Sequence, residues 1–266
     1  MKALIDGDIL RYEVGFAAEQ GWQGSECPPW DYVGHLLIDR LNRIYGETKA
    51  DSYTLFLTEG KTFRYDIARS RPYKGTRVEN KPWHFSNLTI YMRDVLGAEI
   101  VTGIEADDAM AIEHTLAPQE TIICTRDKDL RQVPGWFYSW ECGKQPSFGP
   151  YWIPEKGGEL WLTERALQGT GYAWFCAQLL MGDPTDNIPG LPGWGPKRTY
   201  DLLAPIAQNE MYRLVNGAMF QEVCDAYADK LENWEQCLLE QGQLLWMVRR
   251  LNEGGTPELW RLGQDG

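Results

Sequence analysis

Histidine is scarce in this chain, three residues in 266, and the six cysteines (27, 124, 142, 176, 224 and 237) form no CxxC pair. Such spacing builds neither a zinc ribbon nor a disulfide framework, so reduced thiols are expected. No window is apolar over the length of a membrane span, and no apolar targeting region precedes the opening MKALIDGD. The expectation is a soluble, cytoplasmic protein with no membrane partner. Internal repeats and low-complexity tracts are also missing. Cations are outnumbered, 26 Lys and Arg against 38 Asp and Glu, giving a formal charge of -12 and a pI near 4.8. That balance alone argues against a nucleic-acid partner, because phosphate binding needs a basic face. What is abundant is apolar matter: 43 % hydrophobic residues, with 12 Trp and 13 Tyr, which point to a folded core.

The distribution of charge qualifies its sum. From Lys61 to Lys81 the chain carries Lys61, Arg64, Arg69, Arg71, Lys74, Arg77 and Lys81 against Asp66 and Glu79, a local excess of five positive charges. Taken alone, such a run reads as a solvated basic face.

Short apolar runs at 2–6 (KALID), 52–57 (SYTLFL), 98–103 (AEIVTG), 121–127 (TIICTRD) and 136–140 (WFYSW) read as strands covered on both faces, since they lack a strict period of two. Helical patterns lie between them at 33–46, 83–97 and 105–116. The alternation predicts an α/β fold with a mainly parallel central sheet flanked by helices. Residues 141–171 are rich in Gly, Pro and Trp, and helical patterns follow at 173–181, 196–204 and 209–251. The expected division is an α/β part over 1–165 and a helical part over 166–266, with the last dozen residues loosely held.

Parallel sheets bind ligands outside the carboxyl ends of their strands, and acids stand at three of those ends. Asp6 and Asp8 close the first strand, Glu105, Asp107 and Asp108 follow EIVTG, and Asp127 and Asp129 follow TIICTR. Singly, each group has a structural explanation: a tight turn at DGD, a helix first turn at EADD, a capped turn at TRDKDL. Jointly, seven carboxylates on one edge would repel one another, and cations would relieve this. Hard oxygen donors without neighbouring His or Cys favour Mg²⁺ or Mn²⁺. Two such ions suit phosphodiester hydrolysis. The three histidines lie outside the acid groups and are assigned no chemistry.

The stretch GDPTDNIPGLPGWGPK (182–197) adds Asp183 and Asp186 inside a turn-rich loop. Small residues there permit close backbone approach, and a helix N-terminus at about Pro196 attracts anions.

With DGD, GKTFR and YKGTR, EADD, TRDKDL and GDPTDN in that order, roughly residues 1–205 resemble the structure-specific 5′ nucleases: flap endonucleases, phage 5′ to 3′ exonucleases and the 5′ nuclease domain of bacterial DNA polymerase I. The resemblance implies a PIN-like core, with a helix-three-turn-helix at about 175–205 and a basic arch at about 61–85. It implies that Asp6, Glu105, Asp107, Asp108, Asp127, Asp129, Asp183 and Asp186 surround two Mg²⁺ ions, replaceable by Mn²⁺. Lys74 and Arg77 would lie by the scissile phosphate, Tyr73 would stack on a base, and Arg64 and Arg71 would belong to the basic gateway. Gly190, Gly193 and Gly195 would meet a duplex phosphate strand beside Lys197, with a potassium ion held by carbonyls of the 190–195 turn.

The implied activity is Mg²⁺-dependent hydrolysis at or near 5′ ends of DNA, by exonuclease or flap endonuclease action, on duplex with a 5′ end, nick or flap, or on RNA paired to DNA during primer removal. A compact, stand-alone, phage-encoded nuclease of the host cytoplasm is the implied setting; no protein partner is indicated. Competing readings are a PIN-like ribonuclease, which would lack the duplex clamp, and a catalytically silent structure-specific DNA-binding protein, which would gain nothing from concentrated acids. Two departures stand out. Leu57 occupies a place where many relatives have an aspartate, with Glu59 two residues on, and the segment between Lys61 and Trp83 is short. The Trp-rich stretch 136–152 has no assigned counterpart.

Overall fold

β1 (Lys2–Asp6) is buried along four of its five residues and passes without a loop into α1 (Gly7–Gly21). A glycine is needed at that junction, because a Cβ on Gly7 would lie 2.6 Å from the Phe56 carbonyl oxygen on the neighbouring strand. The DGD stretch is therefore a helix start and not the tight turn considered from sequence. Leu10, Val14 and Ala18, four residues apart, bury one face of that helix. The computed structural model describes all residues except 25, 79, 165, 210–215 and 264–266, and of residue 216 the backbone alone.

The chain divides into two compact units, one of Met1–Lys61, Val78–Lys128 and Trp136–Trp152, the other of Thr62–Arg77, Asp129–Gly135 and Ile153–Gly266. The first is built on a six-stranded sheet of β1, β2 (Ser52–Thr62), β3 (Glu99–Gly103), β4 (Thr121–Cys124), β5 (Gly135–Ser139) and β6 (Phe148–Ile153), in the order β3-β2-β1-β4-β5-β6. β1 runs parallel to β2, with Ile5 opposite Leu55, and parallel to β4, with Ile5 opposite Cys124. β4 runs parallel to β5, with Ile123 opposite Phe137. Ala3, Ile5, Leu55 and Ile122 share one core with Leu10 and Val14 of α1, Leu37 and Ile44 of α2 (Trp30–Thr48) and Leu88 and Met92 of α4 (Phe85–Asp94). Another helix, α5 (Ala106–Leu116), packs on β1 and β4. The Trp-rich stretch supplies the adjacent strands β5 and β6. Trp136 and Trp152 meet edge to face at 5.4 Å, and buried Trp140 donates to Glu13 at 2.6 Å.

From β1 the chain moves outward through β2 to β3, then returns to place β4 on the other side of β1. That reversal makes the carboxyl ends of β1 and β4 a topological switch point, where open α/β sheets leave a crevice.

The second unit centres on α6 (Gly171–Met181), whose residues from Gly171 to Leu180 are all buried. A helix apolar on every side belongs in the middle of a bundle. Around it lie α7 (Pro196–Ala207), α8 (Asn216–Ala228), α9 (Trp234–Leu245) and a 3-10 turn at Asp129–Gln132. A small hairpin, β7 (Leu160–Leu162) with β8 (Leu167–Gly169), packs against α7. The basic segment contributes one helical turn, α3 (Arg64–Ile67), followed by turns.

The helical stretch expected over 209–251 resolves into α8 and α9, with residues 210–215 outside the described residues. The tail corrects the sequence expectation as far as it is described. Trp260 is fully buried, and its ring meets Phe175 at 5.4 Å and Phe220 at 5.6 Å, so residues 254–263 include a core anchor. Among the described residues, no helix is long and apolar enough to cross a membrane.

Candidate active site

Asp6 ends β1 at 1 % exposure. Its Oδ1 accepts the Ile9 N–H at 2.9 Å, capping α1, and its Oδ2 accepts the Thr125 hydroxyl at 2.7 Å. The Thr125 oxygen accepts the Asp127 N–H at 2.9 Å, so one threonine just past β4 fixes two of the expected acids. Burial pushes the Asp6 carboxyl up to about 7, and the neighbouring charges of Asp8 and Asp127 push it the same way.

Asp8, absent from the expected ligand set, is part of the same edge. It accepts the Thr58 N–H at 3.1 Å and pairs with Arg11 at 2.7 Å. Burial raises its pKa, Arg11 opposes this, and Glu105 adds repulsion. The Thr58 hydroxyl accepts the Ala106 N–H at 2.8 Å, which ties β2 to the start of α5. Within α5, fully buried Asp108 accepts the Glu105 N–H at 3.1 Å, half of a capping box. Glu105 is buried and Asp107 half-buried. Leu57 is buried and Glu59 exposed, so the acid beside this part of β2 is Asp8, held through Thr58.

This unit therefore gathers acids whose charges help to raise the pKa of Asp6 and Asp8. Among the described residues, no group of three or more His, Cys, Asp or Glu side chains is placed so that it could hold a metal ion. The donor chemistry nonetheless fits a hard divalent cation: all donors are oxygens, and Asp6 takes one neutral hydrogen bond on each oxygen while facing two other acids.

The other expected acids lie in the second unit, each with a protein partner. Asp129 accepts from Gln178 Nε2 at 2.6 Å. Asp183 accepts the Thr185 N–H at 2.7 Å and exchanges backbone hydrogen bonds of 2.9 and 2.8 Å with Ile188. Asp186 pairs with Arg77 at 3.2 Å and accepts the Tyr73 hydroxyl at 2.8 Å.

Three expected DNA contacts are corrected. Arg64 is fully buried, its guanidinium donating to the carbonyls of Leu244 and Trp246 at 2.9 Å each, so it anchors α3 and is withdrawn from any basic surface. Tyr73 is 5 % exposed and packs edge to face on Tyr65, leaving no ring face for a base. Gly190 is buried at a backbone crossing: a Cβ there would lie 2.3 Å from the Met181 carbonyl carbon, and one on Gly182 would lie 2.2 Å from the Ile188 oxygen. These two glycines, both at positive φ, close the loop on itself.

The outward part of the loop is Gly193, exposed, then Gly195 at the N-cap of α7 and Pro196 in its first turn. Lys197 is exposed and pairs with Asp201. Arg198, missed from sequence, is exposed and lies 4.2 Å over the Trp194 ring. Arg71 and Arg77 are exposed and Lys74 half-buried.

No protein-family model matches the sequence. The chain is 29 % identical over 275 residues to DNA polymerase I of Mycobacterium tuberculosis, covering 97 % of this chain and 28 % of that protein. It is 29 % identical over 211 residues to the thermostable DNA polymerase I of Thermus thermophilus, covering 75 % of this chain and 23 % of that protein. It thus spans about a quarter of the length of these curated relatives. Its fold resembles that of a bacteriophage T5 protein crystallised with metal ions, with a TM-score of 0.51 at 16 % identity, covering 92 % of this chain and 89 % of the other. The bacteriophage T5 flap endonuclease, in a pseudo-enzyme-product complex with DNA and metal ions, gives a TM-score of 0.51 at 15 % identity, covering 90 % and 98 %. The chain is thus similar in sequence to part of DNA polymerase I and in fold to a flap endonuclease.

The signals missed in the sequence are small ones. Asp8 sits two residues from Asp6, but only the pairing of β1 with β2 shows that it reaches Thr58. Arg198 adjoins Lys197 and needed only exposure to be distinguished from buried Thr199.

Proposed function

We propose that this chain is a divalent-metal-dependent 5′ nuclease that hydrolyses phosphodiester bonds at or near 5′ ends of DNA, in nicked, flapped or primer-bearing duplex, within the cytoplasm. The observation that carries the proposal is the buried acid edge at the switch point of the sheet, where Asp6 faces Asp8 and Asp127. Asp6, Glu105, Asp107, Asp108 and Asp127 would hold the cation, with Asp8 supporting the edge through Thr58. Divalent ions bound there would activate a water and neutralise the leaving oxygen.

The protein's own part is placement. The Thr125 hydroxyl holds the Asp6 carboxylate and the Thr58 N–H that of Asp8, by hydrogen bonds already in place. Lys74 and Arg77 would hold the scissile phosphate and offset charge developing on it. In the loop at 182–197, Gly193, Gly195, Lys197 and Arg198 would take a duplex phosphate strand at the N-terminus of α7, positioning the substrate without reading bases.

The test is a gel assay with 5′- and 3′-labelled oligonucleotides on matched duplex, nicked and 5′-flap substrates, with Mg²⁺, Mn²⁺ or EDTA. Cleavage dependent on the metal and removed by Asp127→Ala supports the proposal. Mononucleotide products would assign exonuclease action, and one fragment cut at the junction a flap endonuclease. A folded protein that binds these DNAs without cutting them would overturn it.

A further inference from the structure

We infer that Glu240 is a positioning residue, which fixes the backbone at Arg69 and Ser70 so that the guanidinium groups of Arg69 and Arg71 are held ready for the phosphates of a DNA strand. The inference rests on the nuclease reading above for the identity of that anion. Its geometry lies wholly within the second unit.

After α3 the chain runs over residues 68–72 without helix or strand. Backbone N–H groups there lack the partners that regular structure supplies, and need acceptors from elsewhere. Glu240, on α9, is such an acceptor. Its Oε1 takes the Arg69 N–H, the Ser70 N–H and the Ser70 hydroxyl, each at 2.7 Å. Hydrogen bonds to an ionised carboxylate are short and strong, and three on one oxygen restrict the two residues far more than one would.

The same helix also holds the start of this segment. The guanidinium of buried Arg64 donates to the carbonyls of Leu244 and Trp246, acceptors of the kind that a helix C-terminus leaves unpaired. Ile67 and Ala68, between the two attachments, pack against the core of the unit. Residues 64–70 are thus fastened at both ends to residues 240–246.

What remains outside is positive charge. Arg69 and Arg71 are exposed, and among the described residues no carboxylate pairs with either guanidinium. A surface acid beside two arginines commonly forms ion pairs with their side chains, whereas this Glu240 oxygen is taken by the backbone. Two guanidiniums on a fixed turn, not neutralised, suit a phosphate backbone, which arginine can grip in bidentate fashion without reading bases.

The experiment uses the full chain with Glu240→Ala, Glu240→Gln and an Arg69→Ala, Arg71→Ala double variant, each checked for a cooperative urea melt. Binding of a 5′-flap DNA in EDTA, read by fluorescence anisotropy, decides by its sign. An acid acting only through its charge repels phosphates, so its removal would tighten binding. Glu240→Ala should instead weaken binding about 3- to 10-fold, the cost of ordering two side chains only when DNA arrives. Glu240→Gln keeps an acceptor oxygen and should bind no more weakly than wild type. The double variant should reduce the slope of log affinity against log salt by about two, and in that background Glu240→Ala should have no further effect. Unchanged or tighter binding by Glu240→Ala, or a full effect without the arginines, would overturn the inference. Limited trypsin digestion, which needs no DNA, should nick Glu240→Ala faster than wild type after Arg69; unchanged nicking would overturn the positioning role. The expected binding changes in a protein that cuts no DNA would keep the inference and discard the nuclease reading.

Discussion

Acids in the two units of this chain live under opposite conditions. At the sheet edge Asp6 faces Asp8 and Asp127, and its carboxyl is pushed up to about 7 by burial and by those neighbours. In the second unit Asp186 faces Arg77 and Tyr73, Asp129 faces Gln178, and Asp183 folds its own turn. Identical side chains therefore carry different tasks. The edge acids, though hydrogen-bonded by the protein, also repel one another and are suited to hold a cation from outside; those of the second unit order the turns around them.

The sharpest break of this comparison is to delete an acid at the edge. Asp127→Ala is expected to lower cleavage by on the order of 10³-fold or more, since it removes a donor from the centre that would stabilise the transition state. Single-turnover cleavage at saturating metal measures this.

On the other side of the comparison, Phe175→Ala should destabilise by about 3–5 kcal/mol, the usual cost of emptying a large aromatic site. Phe175 is fully buried in α6, with Trp246 at 4.9 Å and Trp260 at 5.4 Å. Urea unfolding reads the loss.

The pH dependence of the edge has a definite sign. Asp6 has a folded pKa above its unfolded value, so its contribution to stability is fully present below about 4 and is lost as pH rises through about 7. In EDTA, Asp6→Asn should thus be more stable than wild type at pH 8, with the advantage fading towards pH 4. Mn²⁺ affinity of the wild type should rise from pH 6 to pH 8 as the competing proton leaves. Urea melts and calorimetry across that range check both.

The smallest effect belongs to the outer loop. Lys197→Ala or Arg198→Ala should weaken duplex binding evenly across sequences and reduce the slope of log affinity against log salt by about one unit each. Fluorescence anisotropy at several salt concentrations measures it.

Sequence carried the sheet well, because parallel strands leave continuous apolar runs, and Asp6 falls at the end of the first of them. It carried α1 poorly, because DGD is equally good turn chemistry, and only the close approach of Gly7 to Phe56 explains a helix without a loop. Arg64 was misplaced for a related reason. Within a basic run its burial depends on carbonyls from residues 244 and 246, far along the chain. The glycines of 182–195 look alike in sequence, yet Gly182 and Gly190 serve the backbone crossing while Gly193 faces outward. The tail reads as loose in sequence, yet Trp260 packs on both Phe175 and Phe220.

The most direct test of the central claim, that the edge around Asp6 is a cation site, is calorimetric titration of Mn²⁺ at pH 8 into the wild type and a Asp6→Asn, Asp127→Asn double variant. The account predicts saturable binding in the wild type and its loss in a variant that still melts cooperatively. Equal binding by both proteins, or none by either, would contradict it.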